Sequence, residues 1–379
     1  MVCGRRFAAI YNKGWSWWID RSRPRTDKYT SMLCPVRRRG PPLRVKLLFW
    51  LILGCFSTYL AEAVSGAGLF PFLHPWWILV CLPLYGLHLL VLAWVVYTYG
   101  RPRFATLLLA GFIFGMYEAY MTKVVWRPDW GPPILSVGGF AIVETAVIAF
   151  FWHPVLAFLI PVVVGECVLT RSRDSWDFLP RIIQRRFQDG WTGRIGIVSV
   201  GVACGAFQSF NSPSPVKSLL SGFASLGFIA LLLFVWFRKT GRHSWTMRDL
   251  LPRRRGFLVM LGILFGYYVF LGVTIRPQVI PGFGPQAVVW VIYAVLFALL
   301  YIRLRKAGLQ AIGPGLSPQR FSWLVFLEVS LALTLTSAGL NFIPGNYISV
   351  IRLFFWVFGT VGLGLFLYAA WDTLRPAQA

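Results

Sequence analysis

The residues that could do chemistry are few, and their placement is uneven. All five glutamates (62, 118, 144, 166 and 328) fall inside long apolar runs, while the eight aspartates lie in tails or loops or at the end of the last run. An ionised carboxylate in hydrocarbon is costly, so such residues face a protein interior or a wet cavity. Counted along their runs, His88 and Glu144 lie at midpoints, Glu118 three or four residues from one, and Glu328 near another. His153 precedes Pro154 and Glu166 follows Pro161 in a run that the prolines interrupt. Glu62 and Lys123 lie near run ends, where long side chains snorkel to the interface.

Glu118 and Glu144, with His88 at the edge, are therefore expected to share one polar cavity. Their helices are consecutive, and Gly115 one turn before Glu118 would admit a close neighbour. Desolvation and a second carboxylate both hold a proton on such a pair, which suits loading and release. Glu166, His153 and Glu328 complete the list of candidate substrate or proton residues. No catalytic residue is assigned.

These residues need helices to position them. The chain has 379 residues, of which 57% are hydrophobic and 13% charged. A soluble chain carries about 25% charged residues, so a soluble enzyme is excluded. A disordered chain is excluded as well, since it needs low hydrophobicity. Runs near 46–64, 76–98, 104–125, 134–152, 154–170, 194–210, 217–237, 256–275, 284–302, 321–340 and 347–371 meet the ~20-residue requirement of a span or approach it. The fold class is thus an all-α, polytopic membrane bundle.

Charge sets its direction. Thirty-two of the 37 Lys and Arg lie in 1–46, 101–103, 171–194, 238–255, 303–320 and at Arg375, which share one side only if 134–170 crosses once. Crossing twice leaves 17 on one side and 20 on the other, with no bias. The positive-inside rule favours one crossing, giving ten spans with both termini cytoplasmic in the cell membrane. Because 37 helical residues would be about 55 Å long, 134–152 is read as a span and 154–170 as a re-entrant or interfacial piece. The net charge of +24 follows this loop pattern and does not indicate nucleic acid.

The organisation expected is a basic extension (1–45), a first membrane unit holding the ionisable residues (46–170), a cytoplasmic segment (171–193), a second unit (194–302) and a two-helix C-terminal segment (303–379). The extension and first run also resemble a signal peptide ending at Ala61-Glu62-Ala63, although a first span accounts for the same residues. Residues 176–191 alternate apolar with basic, as in an interfacial helix placing Arg181, Arg185 and Arg186 against anionic headgroups. GFIFGMY at 111–117 and GILFGYY at 262–268 suggest a parallel four-helix repeat, 46–152 and 194–302. The pairs Gly111/Gly115, Gly262/Gly266 and Gly201/Gly205 are read as helix-packing positions.

Gly138-Gly139-Phe140-Ala141-Ile142-Val143-Glu144 resembles a motif of the glutamic intramembrane proteases related to CAAX-processing enzymes. Those carry a paired Glu-Glu in an earlier helix, where this chain has Glu118 alone and Lys123 five residues on. Three functions meet these residues. The leading one is a proton- or cation-coupled transporter of a small solute or lipid. The others are a structural or accessory subunit and an intramembrane hydrolase with a Glu/His site. No P-loop, HExxH, GxSxG or CxxCH occurs, and no cofactor or metal is expected. The partners expected are the bilayer, anionic lipid, and a solute, lipid or proton.

Overall fold

In the computed structural model, residues 40–187, 190–240, 245–306, 322–343 and 348–375 are described. Most of the basic extension (1–39) and residues 307–320 of the loop at 303–320 lie outside the described residues. Among the described residues, ten helices are long and apolar enough to cross a membrane: α1 Leu43–Ala63, α2 Trp77–Tyr99, α3 Phe104–Met121, α4 Ile142–Leu169, α5 Trp191–Asn211, α6 Pro215–Thr240, α7 Arg254–Thr274, α8 Phe283–Lys306, α9 Trp323–Leu340 and α10 Val350–Leu374.

The run at 134–170 crosses once, but not as expected. Residues 134–141 do not open a span; they hold a small hairpin, β1 (Ser136–Val137) against β2 (Phe140–Ala141). Gly138 and Gly139 turn it with φ of 57° and 80°, a region glycine enters without steric cost. Nor does 154–170 re-enter. It continues α4 through a stretch of wide π turns, Ile148–Leu159, that absorbs Pro154. Pro154 brings no N–H, so a widened ladder loses less there than a regular one would. Twenty-eight residues span about 42 Å, close to a bilayer with its headgroups.

Wide turns occur twice more, at Tyr59–Ala63 ending α1 and at Trp77–Cys81 opening α2. The second ends two residues before Pro83. Such turns free backbone carbonyls, and here other helices use them. Trp152 Nε1 donates to Ala61 O at 2.9 Å, Gln208 Nε2 to Ala63 O at 2.9 Å, and Ser57 Oγ to Ala157 O at 2.6 Å. These bonds fix α1 against α4 and α5.

The core is the first four spans. Of the apolar window of α3, 89% is buried, against 17% for α7 and 11% for α10. Small residues permit the approach: a Cβ on Gly54 would lie 3.4 Å from the Gly86 Cα, joining α1 to α2. One on Gly111 would meet Pro154 at 2.9 Å, and one on Gly115 would meet Ala149 O at 2.5 Å, so α3 lies almost backbone to backbone on α4. Gly201 and Gly205 make the same approach to Val329 and Leu333 of α9. Gly262 and Gly266 do not, and have open space where a side chain would be. The GFIFGMY and GILFGYY stretches thus occupy unlike settings, one central and one peripheral, and packing lends the repeat no support.

The segment at 176–191 is broken rather than one interfacial helix. Short helices Asp174–Asp177 and Arg181–Arg186 flank Pro180. This segment and the one before α7 share one end of the bundle. Arg171 N donates to Trp245 O at 3.0 Å and Met247 N to Ser172 Oγ at 3.0 Å. From the start of α1, Lys46 Nζ reaches Leu251 O at 2.9 Å.

Candidate functional site

At the opposite end, three of the core helices bring one residue each to a hydrogen-bonded chain. Glu62 comes from the wide turn ending α1, Tyr85 from one turn past the wide turn of α2, and His153 from within the wide turns of α4. All three therefore sit in or next to irregular helix, a feature that clusters at functional sites. The Tyr85 hydroxyl contacts Glu62 Oε1 and lies 2.9 Å from His153 Nε2. His153 Nδ1 is 3.2 Å from Ile148 O. Glu62 is partly exposed, whereas Tyr85 and His153 are buried.

The hydrogens can be placed by counting donors. Ile148 O only accepts, so His153 Nδ1 carries a hydrogen. In a neutral ring Nε2 then accepts, from the Tyr85 hydroxyl. That leaves the phenol oxygen as an acceptor towards Glu62, which must be protonated. The second arrangement has Glu62 ionised, Tyr85 donating to it, and His153 doubly protonated and donating through Nε2. The two differ by one proton carried from Glu62 to His153, with every heavy atom in place.

Glu118 is buried as well, 5% exposed, and its Oε1 has no hydrogen-bond partner among the described residues. His88 stands beside the chain without joining it. Its Nδ1 donates to Leu84 O at 3.0 Å, and its ring stacks on Phe114 at 4.6 Å and against Tyr117 at 3.9 Å. Phe114 in turn touches the rings of Tyr85 and His153.

The other expected residues are spent elsewhere. Glu144 Oε1 accepts from Ile134 N at 2.6 Å, pinning the segment before the hairpin to the first turn of α4. Its Oε2 is buried and has no hydrogen-bond partner among the described residues. Glu166 lies at the far end, accepting from Ser172 Oγ at 2.9 Å, Ser175 N at 2.7 Å and Ser175 Oγ. Glu328 pairs with Arg194, joining α9 to α5. Lys123 does not snorkel; it is fully buried, with Nζ 2.8 Å from Gly272 O near the end of α7, where a cation suits the helix dipole. The stretch Gly138–Glu144 is hairpin and helix start, unlike a catalytic helix. Among the described residues no three His, Cys, Asp or Glu side chains are grouped to hold a metal.

Sequence reasoning missed Glu62 and Tyr85. Glu62 was assigned to the interface by its distance from the run centre. Tyr85 offered a signal, since a tyrosine in the middle of an apolar helix must find a partner for its hydroxyl.

Known proteins add the family and no activity. A protein of Archaeoglobus fulgidus, described as an uncharacterized protein, is 33% identical over 263 residues, covering 68% of this chain and 78% of its own. No solved structure matches. A family model matches residues 51–375, and the chain, an integral multi-pass membrane protein, belongs to that family, described as an uncharacterized membrane protein family.

Proposed function

We propose that the protein is a proton-coupled carrier of a small solute or lipid, with Glu62, Tyr85 and His153 as the element that loads and passes the proton. The observation that carries this reading is the Tyr85 bridge between a partly exposed acid and a buried imidazole. A purely structural network has one best proton arrangement, whereas this one has two that need no heavy-atom motion. His88 serves as a wall of the site, through its stacking on Phe114. The loop charges support placing both termini in the cytoplasm. Arg181, Arg185 and Arg186 are exposed, which supports contact with anionic headgroups there.

The test is reconstitution in liposomes loaded with a pH-sensitive dye, challenged with a panel of small acids, amines, amino acids and sugars. One solute class is expected to drive proton movement in the native protein and not in Glu62→Gln or Tyr85→Phe. No solute-linked proton movement in the native protein, or equal movement in both variants, overturns the reading.

A further inference from the structure

On the same end of the bundle as Glu62, an open cleft of about 670 Å³ lies between the segment after α3 and the turn after α7. Arg127 and Arg276 line it from its two sides, with Gln278, Ser136 and Trp126 as further polar or aromatic lining and Asp129 as its acid. A cleft of this size suits a small organic solute.

Its walls are stiff. Pro128, Pro132 and Pro133 fix the backbone on one side, and Pro277 follows Arg276 on the other. Arg276 itself is held in a left-handed conformation, φ 47° and ψ 53°, which a side chain with a Cβ resists. What holds it is its own guanidinium, donating to Thr122 O at 3.1 Å and to Pro128 O at 3.5 Å across the cleft. Trp126 Nε1 donates to Pro285 O at 3.2 Å and secures the floor. The cleft is thus shaped before anything enters.

The charge inside is lopsided. Beyond Arg127 and Arg276, Lys123 lies near enough to repel Arg276, and burial first, then that repulsion, lower its pKa to about 8. Asp129 is the single carboxylate in the lining. Cations held together at a cost are relieved by an anion, and a guanidinium with unused N–H groups offers planar donors to a carboxylate or phosphate.

We infer that this cleft binds an oxyanion group, a carboxylate or phosphate, through Arg127 and Arg276. The group comes either from a free solute or from a lipid headgroup, and binding rests on the cleft alone rather than on the proton relay.

The experiment is calorimetry on the full-length protein in nanodiscs of zwitterionic lipid, titrated with inorganic phosphate and with succinate. A parallel arm compares thermal stability in nanodiscs with and without phosphatidylglycerol. Saturable binding of a free anion, weakened by high salt, marks a solute site. Stabilisation by phosphatidylglycerol alone marks a headgroup site. In either arm Arg127→Gln should weaken the effect about tenfold, the scale of one charge-assisted contact. Asp129→Asn should strengthen it by removing the opposing charge. Arg276→Gln adds the same test, but Arg127→Gln decides it because Arg127 does not hold the cleft together. Glu62→Gln removes the relay and should still bind, so failure of the carrier reading and failure of this one are separable. No response in either arm, or native-like binding by Arg127→Gln, overturns the inference.

Discussion

Glu166 and Glu118 are both carboxylates buried among apolar helices, and their surroundings are opposite. Glu166 receives a backbone N–H and two serine hydroxyls from the segment that follows α4, so its donors are local and fixed. Glu118 has an oxygen without a hydrogen-bond partner among the described residues. The first arrangement holds one charge or one proton in one place. The second leaves bonding capacity open, which low-dielectric sites tolerate only at a cost. Burial alone, then, does not separate the two, and Glu144 lies between them: its Oε1 takes Ile134 N while its Oε2 has no hydrogen-bond partner among the described residues.

Three experiments would break or sharpen that contrast. Glu166→Ala should have the largest effect, since it strands a backbone N–H and two hydroxyls in an apolar setting; a loss of about 3–5 kcal/mol is expected. It would appear as a fall in the melting temperature of the detergent-solubilised protein. Native-like stability would show that this end of α4 is not held by its carboxylate.

Next come Glu62→Gln and Tyr85→Phe. Each should abolish solute-linked proton movement while costing about 1 kcal/mol of stability or less, the scale of a side-chain hydrogen bond in a membrane protein. If either variant instead melts as early as Glu166→Ala, the two ends of the bundle do the same job and the contrast fails.

The smallest effect concerns Asp174, beyond the end of α4. Burial, and secondarily Glu166 and Asp177, raise its pKa to about 6, with Arg248 opposing. A carboxyl that holds its proton more tightly folded than unfolded stabilises less as pH rises. The penalty accrues between about pH 4 and 6 and is constant above that. Asp174→Asn should therefore melt slightly later than the native protein at pH 7.5, by about 1 kcal/mol. The difference should vanish near pH 4, and a gap unchanged across that range would reject the assignment.

Much of the scaffold was legible in the sequence because its signal is coarse. Twenty-residue apolar runs need no three-dimensional knowledge, and the single crossing at 134–170 followed from loop charges. What composition could not reveal was how that crossing is made. Gly138-Gly139 sits inside an apolar run, yet it turns a hairpin, and Pro154 reads as a break although wide turns carry the chain past it. The candidate site was legible residue by residue but not as a group. Depth along a helix picked Glu118, and the proline break picked His153. Which faces meet depends on where wide turns shift the phase, and that hid Glu62 from Tyr85 and His153.

The wide stretch in α4 has one more implication, for how such a chain changes over time. A π turn is an α turn with one residue added, so Ile148–Leu159 has the character of an inserted length rather than a chosen side chain. Removing a single residue there would rotate everything beyond it by about 100°. His153 would leave Tyr85, or Glu166 would leave its serines, depending on which half stayed put. Chain length between Ala149 and Ala157, rather than any one side chain there, is then what keeps both ends of α4 in register.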